Sequence, residues 1–165
     1  LFRYYHKKYL DLELDESNEK KLISQFSELV KNKIIQANYV KGVIDYIDKC
    51  FKCYKIFIST GSPTDEMKII LKKRGIDHYF TSVYGAPEKK TNHIRNIISN
   101  YNLKPNELLF FGDAMSDIVA ARENNIPFVM RKHKYNIHLN KIYNGRSINN
   151  FFNISKNLKV WGKLN

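Results

Sequence analysis

Long apolar segments are missing from this sequence of 165 residues. No apolar run approaches the ~20 residues that a helix needs to cross a bilayer. The first ten residues carry Arg, His and Lys among aromatics, so the unbroken apolar stretch of a secretory signal is missing too. The absence of both segments predicts a soluble, cytoplasmic protein with no membrane partner.

Cysteine is also scarce, with only Cys50 and Cys53 in the chain. A disulfide framework needs more cysteines, which excludes the class of small disulfide-rich secreted proteins. The C-x-x-C spacing occurs in redox sites, but a redox site favours a helix N-terminus, and this pair falls at the end of a predicted helix. A zinc site would need a second ligand pair, and the histidines form no metal-spaced group. We therefore interpret the cysteines as packing residues.

Acidic residues are few, 16 against 28 lysines and arginines, which gives a formal charge of +12. The basic residues are scattered along the chain, and the abundance of Asn, Ile and Lys is typical of an AT-rich coding sequence. This distribution does not favour a nucleic-acid partner, which would need a basic stripe. A small phosphorylated molecule needs only local positive charge. The densest basic run, residues 131–134, is interpreted as a solvated loop.

The first 39 residues contain helical spacing and no strand-like run. Two apolar stripes recur at helical intervals, Phe2-Tyr5-Tyr9-Leu12 and Leu22-Ile23-Phe26-Leu29-Val30. Between them, Asp15–Ser17 is a candidate helix cap. This part of the chain is therefore predicted to be a small helical subdomain.

From residue 40 onward, short apolar runs alternate with helical patterns. The predicted strands are 56–58, 80–84, 108–111 and 127–130, and the predicted helices are 43–51, 65–74, 89–101 and 116–124. This alternation is typical of βαβ units, and it predicts an α/β, Rossmann-like parallel sheet with helices on both faces. The strands are continuously apolar, as strands buried on both faces are. A late helix is predicted at Ser147–Asn153.

Polar side chains follow three of these strands, at the sheet edge where ligands bind in such folds. Thr60-Gly61 follows the first strand, Lys89-Lys90 the second, and Asp113 with Asp117 the third. Each feature alone is ambiguous, because Thr is common in turns, Lys is usually solvated and Asp often caps a helix. Together a hydroxyl, ammonium groups and two carboxylates can hold a phosphoryl group and Mg²⁺.

Three motifs in this order resemble motifs II, III and IV of the haloacid dehalogenase superfamily. They are Ile56-Phe57-Ile58-Ser59-Thr60-Gly61, Pro87-x-x-Lys90 and Phe110-Phe111-Gly112-Asp113-x-x-x-Asp117. The last is the most specific, since GDxxxD after an apolar strand is a hallmark of the family. Residues 74–80 and 120–128 resemble its β-phosphoglucomutase-like subgroup. The resemblance implies that residues 1–39 are part of a small helical cap, and that residues 40–165 are a core lacking its first strand.

The resemblance also implies roles for the phosphate-binding residues. Thr60 and Lys90 would be catalytic and would bind the phosphoryl group of the substrate together with Gly61. Ser59 and Lys89 are the alternatives, because the register of either motif can shift by one residue.

The acidic residues are implied to hold the cofactor. Asp113 would be a catalytic Mg²⁺ ligand, and Asp117 would bind the ion directly or support its ligands. The implied activity is that of a phosphatase acting on a small phosphorylated metabolite, although mutases and dehalogenases share the fold. The substrate's identity and the oligomeric state are left open.

The motif that supplies the family's nucleophile is missing from the sequence. Family members begin with an apolar strand ending in Asp-x-Asp, whose first Asp forms an aspartyl-phosphate and whose second is the general acid and base. Residues 11–15 contain spaced acids, but they lie within helical periodicity and are interpreted as a solvated face. We expect the nucleophile to lie outside this chain, and this fragment alone to be inactive and to fold poorly. The alternative is a non-enzymatic binding module or an inactive truncated fragment.

Overall fold

The computed structural model describes residues 2–160. The chain divides into two compact units, residues 1–38 and 39–165. None of the helices in the described range has both the length and the apolar character that a bilayer crossing demands. The assignment of the first unit to a cap stays a prediction.

The first unit consists of two helices, α1 (Phe2–Leu10) and α2 (Glu16–Gln36). Asp15 caps α2, as predicted, because its carboxylate accepts a hydrogen bond from the backbone N–H of Asn18 at 2.9 Å. Across the pair, the Phe2 and Phe26 rings meet edge to face at 5.7 Å. None of the described residues of α1 or α2 is buried.

The second unit alternates helices with parallel strands. Its helices are α3 (Val43–Cys50), α4 (Thr64–Lys73), α5 (Lys90–Asn100), α6 (Met115–Glu123) and α7 (Ile154–Val160). Its strands are β1 (Phe57–Pro63), β2 (Ser82–Ala86), β3 (Phe110–Gly112), β4 (Phe128–Arg131) and β5 (Ser147–Ile148). Short 3₁₀ turns lie at Asp77–Tyr79, Pro105–Glu107 and Ile137–Lys141. This alternation confirms the predicted α/β class.

The strands form two parallel sheets, one of β1 and β2 and one in the order β3-β4-β5. Among the described residues, no strand pairs with both β1 and β3 to join the sheets. Continuous burial is observed in β4, where Val129 and Met130 have no exposed surface. Strands β1 and β3 are only partly buried, contrary to prediction. Within residues 2–160, each has a strand neighbour on one side alone, which leaves their side chains less covered.

The core of the second unit lies on the two faces of the three-stranded sheet. On one face, residues of α5 and α6 pack against β4, with Ile94, Ile118, Ala120, Phe128 and Met130 buried together. On the other face, Val129, Ile148 and Ile154 form a second cluster that half-buried aromatic residues of α3 and β3 complete. Helices therefore cover both faces, as predicted.

The predicted late helix at Ser147–Asn153 is wrong. Ser147 and Ile148 instead form β5, which pairs in parallel with Met130 and Arg131 of β4. The free edge of β4 needs hydrogen-bond partners, and burial of Ile148 against the sheet overrides the local helical pattern. The last described helix begins only at Ile154.

The predicted strand boundaries also differ from the structure, and the ends of β1 and β2 matter most for the site. Strand β1 continues through the predicted turn to Pro63, where an irregularity in the pairing after Ser59 brings Pro63 opposite Ala86. Strand β2 ends at Ala86, two residues later than predicted, and so includes Gly85. This extension places the ends of β1 and β2 side by side, next to the residues predicted to bind phosphate.

Candidate active site

Thr60 lies at the middle of β1, where the irregular part of the strand pairing begins. Its Oγ1 accepts a hydrogen bond from the backbone N–H of Ser62 at 3.1 Å. A hydroxyl that accepts one bond still has its proton to donate. Gly61 is exposed beside it, and α4 begins three residues later at Thr64. This segment thus offers a hydroxyl donor just before a helix start, an arrangement suited to an anion.

Ser59, the alternative to Thr60, already has a partner. Its Oγ lies 2.9 Å from Nδ1 of His93, and Nε2 of His93 lies 3.2 Å from the carbonyl oxygen of Gly85. Because a carbonyl only accepts, a neutral His93 ring must carry its proton on Nε2, and in that tautomer Nδ1 accepts and Ser59 donates. The Ser59 proton is therefore engaged inside the protein, whereas the Thr60 proton has no acceptor among the described residues. This difference favours Thr60 as the phosphoryl ligand.

Lys90 is the first residue of α5, and its ammonium group lies 2.6 Å from Oδ1 of Asp117. The Lys90 side chain is only 19% exposed, and that of Asp117 is 3% exposed. Lys89, the alternative, precedes the helix and is exposed. Of the two lysines, Lys90 is therefore the one that the structure brings to the acidic pair.

Asp117 lies in the first turn of α6, and both of its carboxylate oxygens have partners. Oδ1 binds Lys90, while Oδ2 accepts the backbone N–H groups of Asp113 at 3.0 Å and Ala114 at 2.9 Å. Gly112 is packed so closely on this carboxylate that a Cβ there would collide with it. Asp117 thus fixes the loop after β3 and joins it to α5. The link spans both sheets, because α5 follows β2 and α6 follows β3.

Asp113 has a different environment, with 52% of its side chain exposed. Its Oδ2 lies 3.3 Å from Nε2 of His133. Since Nδ1 of His133 accepts the backbone N–H of Tyr135, Nε2 carries the ring proton and faces the carboxylate. The Asp113 carboxylate is therefore the more accessible of the two acids to an ion arriving from solvent.

Asn136 is a site residue that sequence reasoning missed. It is 4% exposed, and its amide nitrogen donates to the backbone carbonyls of Asp113 and Arg131, both at 2.9 Å. Its amide oxygen accepts the backbone N–H of His133 at 2.8 Å. Asn136 thus ties the loop after β4 to the loop after β3. A single asparagine within a polar segment carries no sequence signal for this role.

The interpretation of residues 131–134 as a solvated loop is wrong for Arg131, which belongs to β4, and for His133, which packs against Asp113. Lys132 lies in the loop after β4 and is half-buried, and its backbone N–H bonds the carbonyl of Ile148 at 2.7 Å. Only Lys134 is exposed. In the sequence, the basic run directly follows the predicted strand 127–130. This position at a strand end was the signal that the run would lie near the site.

The donor set fits Mg²⁺ through Asp113 more readily than through Asp117. Mg²⁺ keeps several waters and binds proteins through one or two carboxylates plus substrate phosphate oxygens. Asp113 offers an accessible carboxylate, whereas both oxygens of Asp117 are occupied by Lys90 and backbone N–H groups. Among the residues described, no cluster of three or more acidic, His or Cys side chains forms a ready-made cage. Asp117 therefore fits the supporting role.

The acids at residues 11–15 lie far along the chain from this arrangement and join α1 to α2. Asp11 and Glu13 pair with Lys7, and Asp15 caps α2. None of them follows a strand. Their exposed positions agree with the interpretation of this run as a solvated face.

A fold and a set of side chains of this kind define a class of hydrolases, and comparison with known proteins identifies it. The family model for haloacid dehalogenase-like hydrolases matches residues 3–131, and the chain belongs to this family. The predicted resemblance at the family level is thereby confirmed. Assignment to the β-phosphoglucomutase-like subgroup stays a prediction.

Curated relatives and solved structures are similar to the chain over different spans. The phosphoglycolate phosphatase of Pasteurella multocida is 28% identical over 105 residues, 61% of this chain and 46% of the relative. That of Vibrio vulnificus is 32% identical over 74 residues, 42% of this chain and 32% of the relative. The matches thus span less than half the length of these relatives.

Two solved structures share the fold. A predicted phosphoglycolate phosphatase from Haemophilus somnus is 24% identical with a TM-score of 0.79, over 93% of this chain and 72% of that one. A haloacid dehalogenase-like family hydrolase from Streptococcus pneumoniae is 20% identical with a TM-score of 0.69, over 88% of this chain and 72% of that one. At these identities the likeness concerns the architecture alone.

Proposed function

We propose that this chain carries the phosphate- and metal-binding part of an Mg²⁺-dependent phosphatase. The observation that carries the proposal is the link from Lys90 through Asp117 to the backbone of Asp113, which joins an ammonium group to an accessible carboxylate. Positioning and charge neutralisation of this kind are most of what phosphoryl transfer requires.

The phosphoryl group would be held by residues from both sheets. The Thr60 hydroxyl, whose proton is free, would donate to one phosphoryl oxygen, and the exposed backbone at Gly61 would contact another. Lys90 would neutralise negative charge, and Asp117 would keep its ammonium group in place. Mg²⁺, held by Asp113, would supply a further positive charge to the phosphoryl oxygens.

The nucleophile in this proposal is an aspartate outside the 165 residues. Its carboxylate oxygen would attack phosphorus, the bond to the leaving alkoxide would break, and a second acid would give that oxygen a proton. Water would then hydrolyse the aspartyl-phosphate and release inorganic phosphate. In the part of the chain that the structure describes, β1 and β3 each have one unpaired side, and this supports the proposal. A strand between them would join the two sheets and end between Thr60 and Asp113.

The substrate class is a small phosphorylated metabolite of the cytoplasm, with no nucleic-acid partner. The names of the curated relatives make phosphoglycolate the first compound to test. Lys90 brings an ammonium group to the site and Asp113 an accessible carboxylate, which suits a single phosphoryl group bound with a metal ion.

The test begins with the intact mass of the protein purified from its source, followed by hydrolysis of a panel of phosphomonoesters. A mass above the 19.5 kDa of this chain, with Mg²⁺-dependent phosphate release, is the expected result. Phosphate release that persists in Asp113→Asn, or that needs no Mg²⁺, would contradict the proposal. A mass of 19.5 kDa with no hydrolysis would favour a binding module instead.

A further inference from the structure

We infer that His93 is a positioning residue that sets the spacing between Thr60 and Lys90. This inference rests on the proposed function, in which these two residues hold the phosphoryl group. His93 does not contact that group itself, because it has no exposed surface.

The buried side chain of His93 joins three elements, α5, β1 and β2. His93 lies one turn after Lys90 in α5 and binds Ser59 of β1 through Nδ1 at 2.9 Å. It also binds the Gly85 carbonyl of β2 through Nε2 at 3.2 Å. Both ring nitrogens are therefore satisfied, and leaving either one unpaired in the interior would be costly.

Gly85 of β2 is closely packed, with its α-carbon against the end of β1. A Cβ on Gly85 would lie 2.6 Å from the backbone nitrogen of Thr64 and would collide with the carbonyl oxygen of Ser62. Ser62 in turn donates its backbone N–H to the Thr60 hydroxyl. His93 therefore reaches Thr60 by two routes, through Ser59 next to it and through Gly85 and Ser62.

The same helix carries Lys90, so the position of His93 also fixes the start of α5. A shift of α5 relative to β1 would change the distance between the Lys90 ammonium and the Thr60 hydroxyl. A displacement of about 1 Å in such positioning groups reduces reaction rates by large factors. The two hydrogen bonds of His93 resist this shift directly.

A Ser–His nucleophile pair is the competing interpretation of Ser59 and His93. Their 2.9 Å separation suits one, but a nucleophile's base must take part in proton transfer near the substrate. His93 is completely buried, and its second nitrogen binds a backbone carbonyl. The arrangement therefore suits a fixed structural link between site elements.

The experiment measures inorganic phosphate affinity by NMR titration of the protein expressed from its full coding sequence, with urea unfolding recorded in parallel. His93→Phe removes both hydrogen bonds and retains a ring, and Ser59→Ala removes one. Ser59→Thr retains the hydroxyl and serves as the matched control. We expect the first two variants to weaken phosphate binding about tenfold, and Ser59→Thr to bind nearly as the unaltered chain does.

Two further readouts separate positioning from simple support of the fold. Mg²⁺ affinity should change by less than about twofold in His93→Phe, because Asp113 follows β3 of the other sheet, which His93 does not contact through its two hydrogen bonds. In a Lys90→Ala background, His93→Phe should have no further effect on phosphate affinity. If His93→Phe does not fold, Ser59→Ala and His93→Asn, which keeps an acceptor for Ser59, carry the test.

The outcomes separate a failure of the inference from a failure of the proposed function. If folded His93→Phe and Ser59→Ala are less stable in urea but bind phosphate unchanged, His93 only supports the fold and the inference is overturned. If the unaltered chain binds phosphate and Lys90→Ala does not weaken it, the proposed function fails, and the inference fails with it. Lys90-dependent binding that His93→Phe and Ser59→Ala leave intact overturns the inference alone.

Discussion

The Lys90 ammonium group lies 2.6 Å from Oδ1 of Asp117, a carboxylate whose side chain is only 3% exposed. The pair joins the helix that follows β2 to the helix that follows β3, and hence the two sheets. Removing one partner of a buried ion pair leaves an uncompensated charge, which costs more than the pair itself contributes. The link therefore matters for stability as well as for phosphate binding.

Lys90→Ala should lower the free energy of unfolding by about 3 kcal/mol, measured by urea denaturation at neutral pH. Lys89→Ala, its exposed neighbour, is the matched control and should change it by less than about 0.5 kcal/mol. Adding Asp117→Asn to Lys90→Ala should recover part of the loss, since the unpaired charge is gone. Equal stability of the two lysine variants would contradict the pairing.

The two aspartates of the GDxxxD motif should separate stability from metal binding. Asp113→Asn should leave the free energy of unfolding within about 0.5 kcal/mol, because its carboxylate is half exposed, and should weaken Mg²⁺ binding at least about tenfold. Asp117→Asn should instead destabilise the fold by about 3 kcal/mol, because it loses the charge that pairs with Lys90. Calorimetric Mg²⁺ titration and metal-free urea denaturation check the two effects, and identical behaviour of the variants would refute the assignment.

The third prediction concerns Asn136, whose amide holds the loop that carries Asp113. Asn136→Ala removes three hydrogen bonds to partly buried backbone groups, so stability should fall by about 1–3 kcal/mol. Mg²⁺ affinity should fall as well, since Asp113 loses its fixed backbone. Asn100→Ala, at an exposed helix end, is the control, and an equally small effect of both changes would argue against the role.

The fourth prediction concerns the relative thiol reactivity of Cys50 and Cys53. Burial raises the pKa of the Cys50 thiol, while Cys53 is exposed. A raised pKa lowers the thiolate fraction at pH 7–8, and the thiolate is the reactive species. A thiol reagent at pH 7.5 should therefore label Cys53 first, as Cys50→Ala and Cys53→Ala variants can verify. Faster labelling of Cys50 would reopen the redox interpretation of the pair.

Sequence reasoning predicted the features of the fold that depend on periodicity and strand-end chemistry. The parallel α/β class follows from alternating apolar runs, and the cap at Asp15 follows from its side chain. Lys90, Asp113 and Asp117 were found because the strand ends of a parallel sheet converge, and the structure places them together. The assigned roles of Thr60, Gly61 and these residues remain predictions.

The features of the structure that were not predicted depend on tertiary contacts, which a local sequence pattern does not contain. Strand β5 has only two residues, too few for an alternation, and it exists because β4 has a free edge. His93 resembled any packing residue until its two ring nitrogens were seen to reach β1 and β2. Asn136 lies in a polar run, where its three backbone contacts have no signature.

The measurement that tests the central claim most directly is the affinity for inorganic phosphate of the protein expressed from its full coding sequence, with and without Mg²⁺. The claim is that Thr60, Lys90 and Asp113 form one phosphate and metal site. It predicts tighter phosphate binding when Mg²⁺ is present, and loss of that enhancement in both Lys90→Ala and Asp113→Asn. Phosphate affinity that does not change when Mg²⁺ is added would contradict the claim. So would an Mg²⁺ enhancement that both variants retain in full.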